Sequence, residues 1–132
     1  MEKKILIKAT EVSPSINFNA ETGFLQIHGR SLPENAVTFY KPALEWIDKY
    51  SESPNNKTVF EFRMVLLNTS SSKVFIDIFR KINHLVDLKN SEVSVVWYYE
   101  EEDEDMEDIG IQYEEICKAE FKMIGTHFRL MG

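Results

Sequence analysis

Residues 68 to 73 read Asn-Thr-Ser-Ser-Ser-Lys, four consecutive hydroxyl side chains (Thr69, Ser70, Ser71 and Ser72) set between Asn68 and Lys73. Such hydroxyls have two uses. One is to accept a hydrogen bond from an unpaired backbone N–H in the first turn of a helix, typically worth about 1 kcal/mol. A single helix start needs one such group, so four exceed the need. The other is to carry phosphate. Free N–H groups and the positive end of a helix macrodipole stabilise an anion by roughly 0.3–1 kcal/mol, and Lys73 can add its charge. Phosphate would bring about −1.5 to −2 charges to a surface turn, enough to switch a partner without refolding the domain. The residues alone leave all four hydroxyls open as acceptors.

A second cluster is acidic. Glu100, Glu101, Glu102, Asp103, Glu104, Asp105, Glu107 and Asp108 are eight of the chain's twenty-two acids within nine positions. The plain expectation is a solvated, mobile loop. A divalent-cation site fits poorly, because the spacing matches no calcium loop and the glycine that such a loop needs is missing. The preferred functional reading is a docking surface for a basic partner, with Glu100, Glu101, Asp103 and Asp105 as its candidates. Arg30, in the stretch 29–35, is a further candidate for binding a partner's phosphate or carboxylate, while Asn35 is expected to cap the next helix. His28, His84 and His127 are scattered, Cys117 reads as a small hydrophobe on a helix, and Trp46 and Trp97 read as core. No catalytic set, metal site or cofactor is expected. Two alternatives stand beside the switch. One is a constitutive adaptor whose serines only cap. The other is a metal-dependent phosphoryl-handling enzyme using Asp103 or Asp105 beside Thr69 and Lys73, which would lack a glycine-rich phosphate loop.

The elements that must place these residues follow from periodicity. Ile5 and Ile7 start a strand, and 15–19 with 24–28 alternate around Ala20-Glu21-Thr22-Gly23 as an antiparallel hairpin. Residues 29–35 break the pattern. From about Asn35 the spacing Phe39, Ala43, Ile47, Tyr50 predicts a helix, with a kink or restart at Pro42. Residues 58–67 are apolar on one parity (Phe60, Phe62, Met64, Leu66) and, near the end, on the other as well (Val65, Leu67), which predicts a strand covered on both sides. Val74, Phe75, Ile78, Phe79, Ile82 and Leu85 form a helical stripe. Val93 to Tyr98 is strand, Met106, Ile109, Tyr113 and Ile116 are helical, and Phe121 with Met123 marks a short last strand. The order β-β-β-α-β-α-β-α-β predicts an α/β fold: one mixed sheet of about five to six strands, antiparallel at its N-terminal part, with a right-handed βαβ unit and three helices. Functional groups in such sheets gather at the carboxyl ends of the parallel strands. The hydroxyl turn and the acidic run should therefore share one edge.

At 132 residues the chain is expected to be a single domain, 1–132. Fifteen basic against twenty-two acidic side chains give a net charge of −7, which disfavours nucleic acid and direct binding to anionic membranes. One cysteine excludes an internal disulfide, no leader pattern follows Met1, and no apolar run approaches the ~20 residues of a spanning helix. A cytoplasmic location is expected.

Three segments together carry a resemblance. Gly29-Arg30-Ser31-Leu32-Pro33-Glu34-Asn35 with Phe39-Tyr40-Lys41-Pro42, then Asn68-Thr69-Ser70-Ser71-Ser72-Lys73, then Val96-Trp97-Tyr98-Tyr99-Glu100-Glu101 with its acidic tail, resemble the SiaC family of bacterial regulatory phosphoproteins. The likeness spans nearly the whole chain in the right order. It implies a non-enzymatic, partner-switching protein in cyclic-di-GMP and biofilm signalling. On this resemblance a dedicated serine/threonine kinase is expected to phosphorylate the threonine of the motif, here Thr69. A PPM-type phosphatase would remove the phosphate, and the unmodified form would bind and activate an effector such as a diguanylate cyclase. The plan is also similar to the STAS-fold anti-sigma-factor antagonists, whose switch hydroxyl likewise opens a helix after a strand, though this is fold-level analogy alone.

Overall fold

The computed structural model describes residues 2–127; Met1, which opens the N-terminal stretch, lies outside them. The period-2 segments become strands β1 (Lys4–Ile7), β2 (Ser15–Asn19) and β3 (Phe24–Ser31), followed by α1 (Ala36–Tyr50) and β4 (Lys57–Leu67). Next come α2 (Thr69–Leu88), β5 (Glu92–Glu100), α3 (Glu104–Ile116) and β6 (Glu120–Thr126). All six strands form one mixed sheet whose spatial order is the chain order, β1-β2-β3-β4-β5-β6. The first three are antiparallel, and β3 through β6 are parallel. This is the mixed α/β architecture with three helices that the periodicity predicts.

The core lies between the helices and one face of the sheet. Ile16 and Phe18 of β2, Leu25 and Ile27 of β3, Phe60, Phe62 and Met64 of β4, and Val95 and Trp97 of β5 are all buried on that face. Register sets them in rows, with Ile27 opposite Phe62 and Phe62 opposite Trp97. Each helix lays aromatic rings on the row beneath it: Trp46 of α1 on Phe18, Phe79 of α2 stacked on Phe62, and Tyr113 of α3 against Trp97. Trp46 and Trp97 are core residues, as expected.

Four expectations are corrected. First, β4 is not covered on both sides. Its second face carries Glu61 and Arg63, which pair with each other at 3.2 Å while Arg63 lies over the ring of Tyr98, and among the described residues no helix packs there. The change of parity that suggested a second cover comes from a β-bulge. Gly29 pairs with Met64 and Arg30 with Leu66, so Val65 is an extra residue and the alternation slips by one. Second, residues 29–31 do not end β3. They remain in it, with Gly29 at φ 126, a backbone conformation that favours glycine. Third, of the kink or restart expected at Pro42 the restart does not occur: α1 runs from Ala36 to Tyr50 without a break. Thr38 and Pro42 are both exposed, so the carbonyl that loses its donor faces solvent. Fourth, the acidic run is mostly not loop, for reasons given with the site.

Candidate functional site

Because β3, β4, β5 and β6 are parallel, their carboxyl ends meet at one edge of the sheet. The stretch after Arg30, the hydroxyl turn after Leu67 and the acidic segment after Tyr99 leave from it. The three motif segments, far apart in sequence, are therefore gathered along a single rim.

Asn68 organises the turn. Its backbone stays extended (φ −79, ψ 170), and its Oδ1 accepts from Ser71 N at 2.9 Å and from Ser70 Oγ at 3.2 Å. Its Nδ2 donates to Pro33 O at 3.2 Å, and its own N donates to Ser31 O at 2.9 Å. Its carbonyl accepts from Ser72 N at 2.9 Å and Ser72 Oγ at 3.1 Å. The capping duty thus falls to Asn68, not to a hydroxyl.

The four hydroxyls then separate. Ser70 bonds the cap. Ser72 folds back on Asn68 O, and its own carbonyl accepts from Tyr113 OH at 3.0 Å. Ser71 is fully buried, 2.7 Å from Ser31 Oγ, which lies 2.6 Å from Tyr40 OH. Thr69, the first residue of α2, is exposed, and its hydroxyl alone of the four makes no hydrogen bond among the described residues. Lys73 is exposed one turn further along α2, without an ion pair among the described residues. Burial pushes the Tyr40 phenol far above its ordinary range and Tyr113 up to about 12, so both are neutral donors.

The acids lie differently from expectation. Glu100 ends β5, Glu101 and Glu102 make the turn, and Asp103 is the N-cap of α3, its Oδ1 accepting from Met106 N at 3.0 Å. Glu104, Asp105 and Glu107 occupy the first helical turn. Acids there are favoured by the macrodipole, so the run nucleates a helix where a mobile loop was expected. Glu107 accepts from Tyr99 OH at 2.9 Å, a bond that raises the Tyr99 pKa. His127 Nε2 lies 2.8 Å from Glu101 and ties the end of β6 to this rim.

The remaining candidates are placed as follows. Arg30 is exposed, paired in register with Leu66 near the rim, on the face opposite to Ser31. Asn35 caps α1 by accepting from Thr38 N at 3.1 Å, as expected. Cys117 is not inside a helix; it is the half-buried C-cap residue of α3. The three histidines lie on β3, on α2 and beyond β6. No group of three or more His, Cys, Asp or Glu side chains that could hold a metal ion occurs among the described residues, and no described helix is long and apolar enough to cross a membrane. Sequence reasoning missed Ser31, Tyr40 and Tyr113 as parts of the site. The signal was there for Ser31, a polar residue on the same parity as Leu25 and Ile27.

Comparison with known proteins extends the picture beyond this chain. A family profile described as SiaC family regulatory phosphoprotein matches residues 7–126. A curated protein of Pseudomonas aeruginosa (strain UCBPP-PA14), itself described as uncharacterized, is 25% identical over 115 residues, covering 87% of this chain and 90% of that protein. The crystal structure of apo-SiaC from Pseudomonas aeruginosa superposes with a TM-score of 0.85 at 22% identity, covering 94% of this chain and 100% of that one. A chain in the crystal structure of diguanylate cyclase SiaD in complex with its activator SiaC, from the same organism, superposes with a TM-score of 0.86 at 24% identity, over 92% of this chain and 99% of that one. The structural likenesses establish a shared fold.

Proposed function

This chain belongs to the SiaC family of regulatory phosphoproteins, and on that premise we propose that it is a cytoplasmic, non-enzymatic switch of one domain, phosphorylated on Thr69, whose unmodified form binds and activates a diguanylate cyclase. The observation that carries this reading is the state of the four hydroxyls: three are engaged by Asn68 or Ser31, and Thr69 Oγ1 is exposed and uncommitted. A cognate serine/threonine kinase supplies a nucleoside triphosphate. Thr69 Oγ1 forms a bond to the γ-phosphorus, the bond to the β–γ bridging oxygen breaks, the diphosphate leaves with the electron pair, and the hydroxyl proton passes to the kinase's base. A PPM-type phosphatase reverses the state by hydrolysis.

The phosphate would sit at the start of α2, where backbone donors, the helix dipole and Lys73 favour it. The fold need not change. What changes is the rim, already lined by Glu101, Glu102, Glu104 and Asp105, which becomes more negative next to a partner surface that had tolerated it. The SiaD–SiaC complex supports an effector of this class. Asp103, one of the two acids considered for an enzymatic alternative, has a carboxylate oxygen occupied as a helix cap.

The test is intact-mass measurement after incubation with the cognate kinase and ATP, for wild type and Thr69→Ala. The expected result is one added phosphate on the wild type and none on the variant. Phosphate persisting on Thr69→Ala would overturn the acceptor. Release of phosphate from the modified protein in the absence of phosphatase would overturn the non-enzymatic reading.

A further inference from the structure

Ser31 closes β3 with its side chain toward the helices, and there it meets Tyr40 of α1 and Ser71 of α2, all three fully buried. The protons can be assigned. Ser31 Oγ donates to Ser71 Oγ, so its single proton is spent and Tyr40 must be the donor in the 2.6 Å contact. Ser71 Oγ in turn donates a hydrogen bond to the Ser31 carbonyl at 3.2 Å, and the same carbonyl accepts from Asn68 N. One residue at the end of β3 therefore holds both the cap and the third residue of α2. No buried side-chain polar atom among the described residues lacks a partner, so the relay is complete.

Capping requires none of this, because Asn68 already satisfies Ser71 N. An apolar trio of the same shape would pack without the cost of desolvating three hydroxyls. What the relay adds is register. A helix rotates by about 100° per residue, so a first turn that slips by one position exchanges which hydroxyl faces outward.

We propose that the Tyr40–Ser31–Ser71 relay helps select the modification site: it consumes the Ser71 hydroxyl and locks the first turn of α2 in the register where Asn68 holds Ser70 and Thr69 is the uncommitted acceptor. The inference rests on Thr69 being the phosphoacceptor. Tyr40, Ser31 and Ser71 are positioning residues that act through the turn and never touch the incoming nucleotide.

The experiment locates the phosphate rather than counting it. Full-length wild type, Ser31→Ala and Tyr40→Phe are treated with the cognate kinase and ATP, and the site on the peptide containing residues 68–73 is read by tandem mass spectrometry. In both variants the ratio of phosphate on Ser70 and Ser71 to phosphate on Thr69 is expected to rise about tenfold, the factor that ~1.4 kcal/mol of lost register corresponds to. Thermal melts establish that each variant is folded. Tyr40→Phe keeps its ring against Phe39 and Phe75, so it carries the test if Ser31→Ala does not fold. A Thr69-only pattern in folded Tyr40→Phe, whether at the wild-type rate or slower, overturns the relay and leaves Thr69 as acceptor. Absence of phosphate from wild-type Thr69 sinks the reading beneath it, and is seen before any variant is compared.

Discussion

Thr69 and Ser71 are two residues apart and chemically alike, yet one is exposed and idle and the other is buried and fully bonded. The difference lies in what stands behind each, a strand end and a tyrosine in one case and solvent in the other. Those tyrosines also set an alkaline limit. Both Tyr40 and Tyr113 are held above the ordinary value of 10.0 by burial, Tyr113 at about 12. Below pH 10 both are protonated in folded and unfolded chains alike, and their contribution is complete. As pH rises past 10 the unfolded chain loses these protons first, so stability falls progressively toward pH 12. Denaturant midpoints measured from pH 8 to 11 should show that fall, and Tyr113→Phe should make it shallower; an equal slope in the variant would rule this residue out as its source. At this scale the sequence was readable where one residue does one task. Asn35 was legible as a cap from its place before a helical stripe. Ser31 was legible only as a polar residue on a buried parity; its partners were not, because a serine closing a strand declares nothing about a tyrosine nine residues on and a serine forty residues on.

Helices and strands were legible wherever a period ran long enough, and the order of all nine elements follows from it. The failures share a cause: a local feature whose meaning depends on a neighbouring element. The parity change in β4 is a bulge that exists only opposite Gly29, and the acidic run becomes a helix start only because Met106 and Tyr113 give α3 a sheet to lie on. The closeness of that docking is set by Gly110. A Cβ built there would stand 2.5 Å from Trp97 Cδ1 and 2.6 Å from its Nε1, while that same Nε1 donates to Met106 O at 3.1 Å. Gly110→Ala would gain about 1 kcal/mol of helix propensity and yet force α3 off Trp97, an overpacking cost of typically 1–3 kcal/mol. The expected net is destabilisation of up to about 2 kcal/mol, read as a lower denaturant midpoint with a red-shifted tryptophan emission. A midpoint at or above that of wild type would mean that the helix is not held by this contact.

For the molecule as a whole, charge and topology work on the same rim. A chain of net charge −7 concentrates acids where the hydroxyl turn emerges, so partner binding there should depend on salt. Replacing Glu101, Glu102, Glu104 and Asp105 by their amides should flatten that salt dependence. It should also narrow the effector's preference for the unmodified protein over the phosphorylated one, by on the order of tenfold at low ionic strength. Calorimetry at two salt concentrations measures both, and an undiminished preference would remove charge repulsion from the switch. The strand order bears on a different matter, how the molecule comes into being. Since each strand lies beside its sequence neighbours, every β-strand after β1 leaves the ribosome with its docking site already made, and only β1 must wait for a strand synthesised later. Assembly can proceed outward from the first hairpin at the pace of translation. On that schedule the hydroxyl turn is seated by β3 and α1 before the acidic flank has been synthesised, and β6 with His127 closes the rim last.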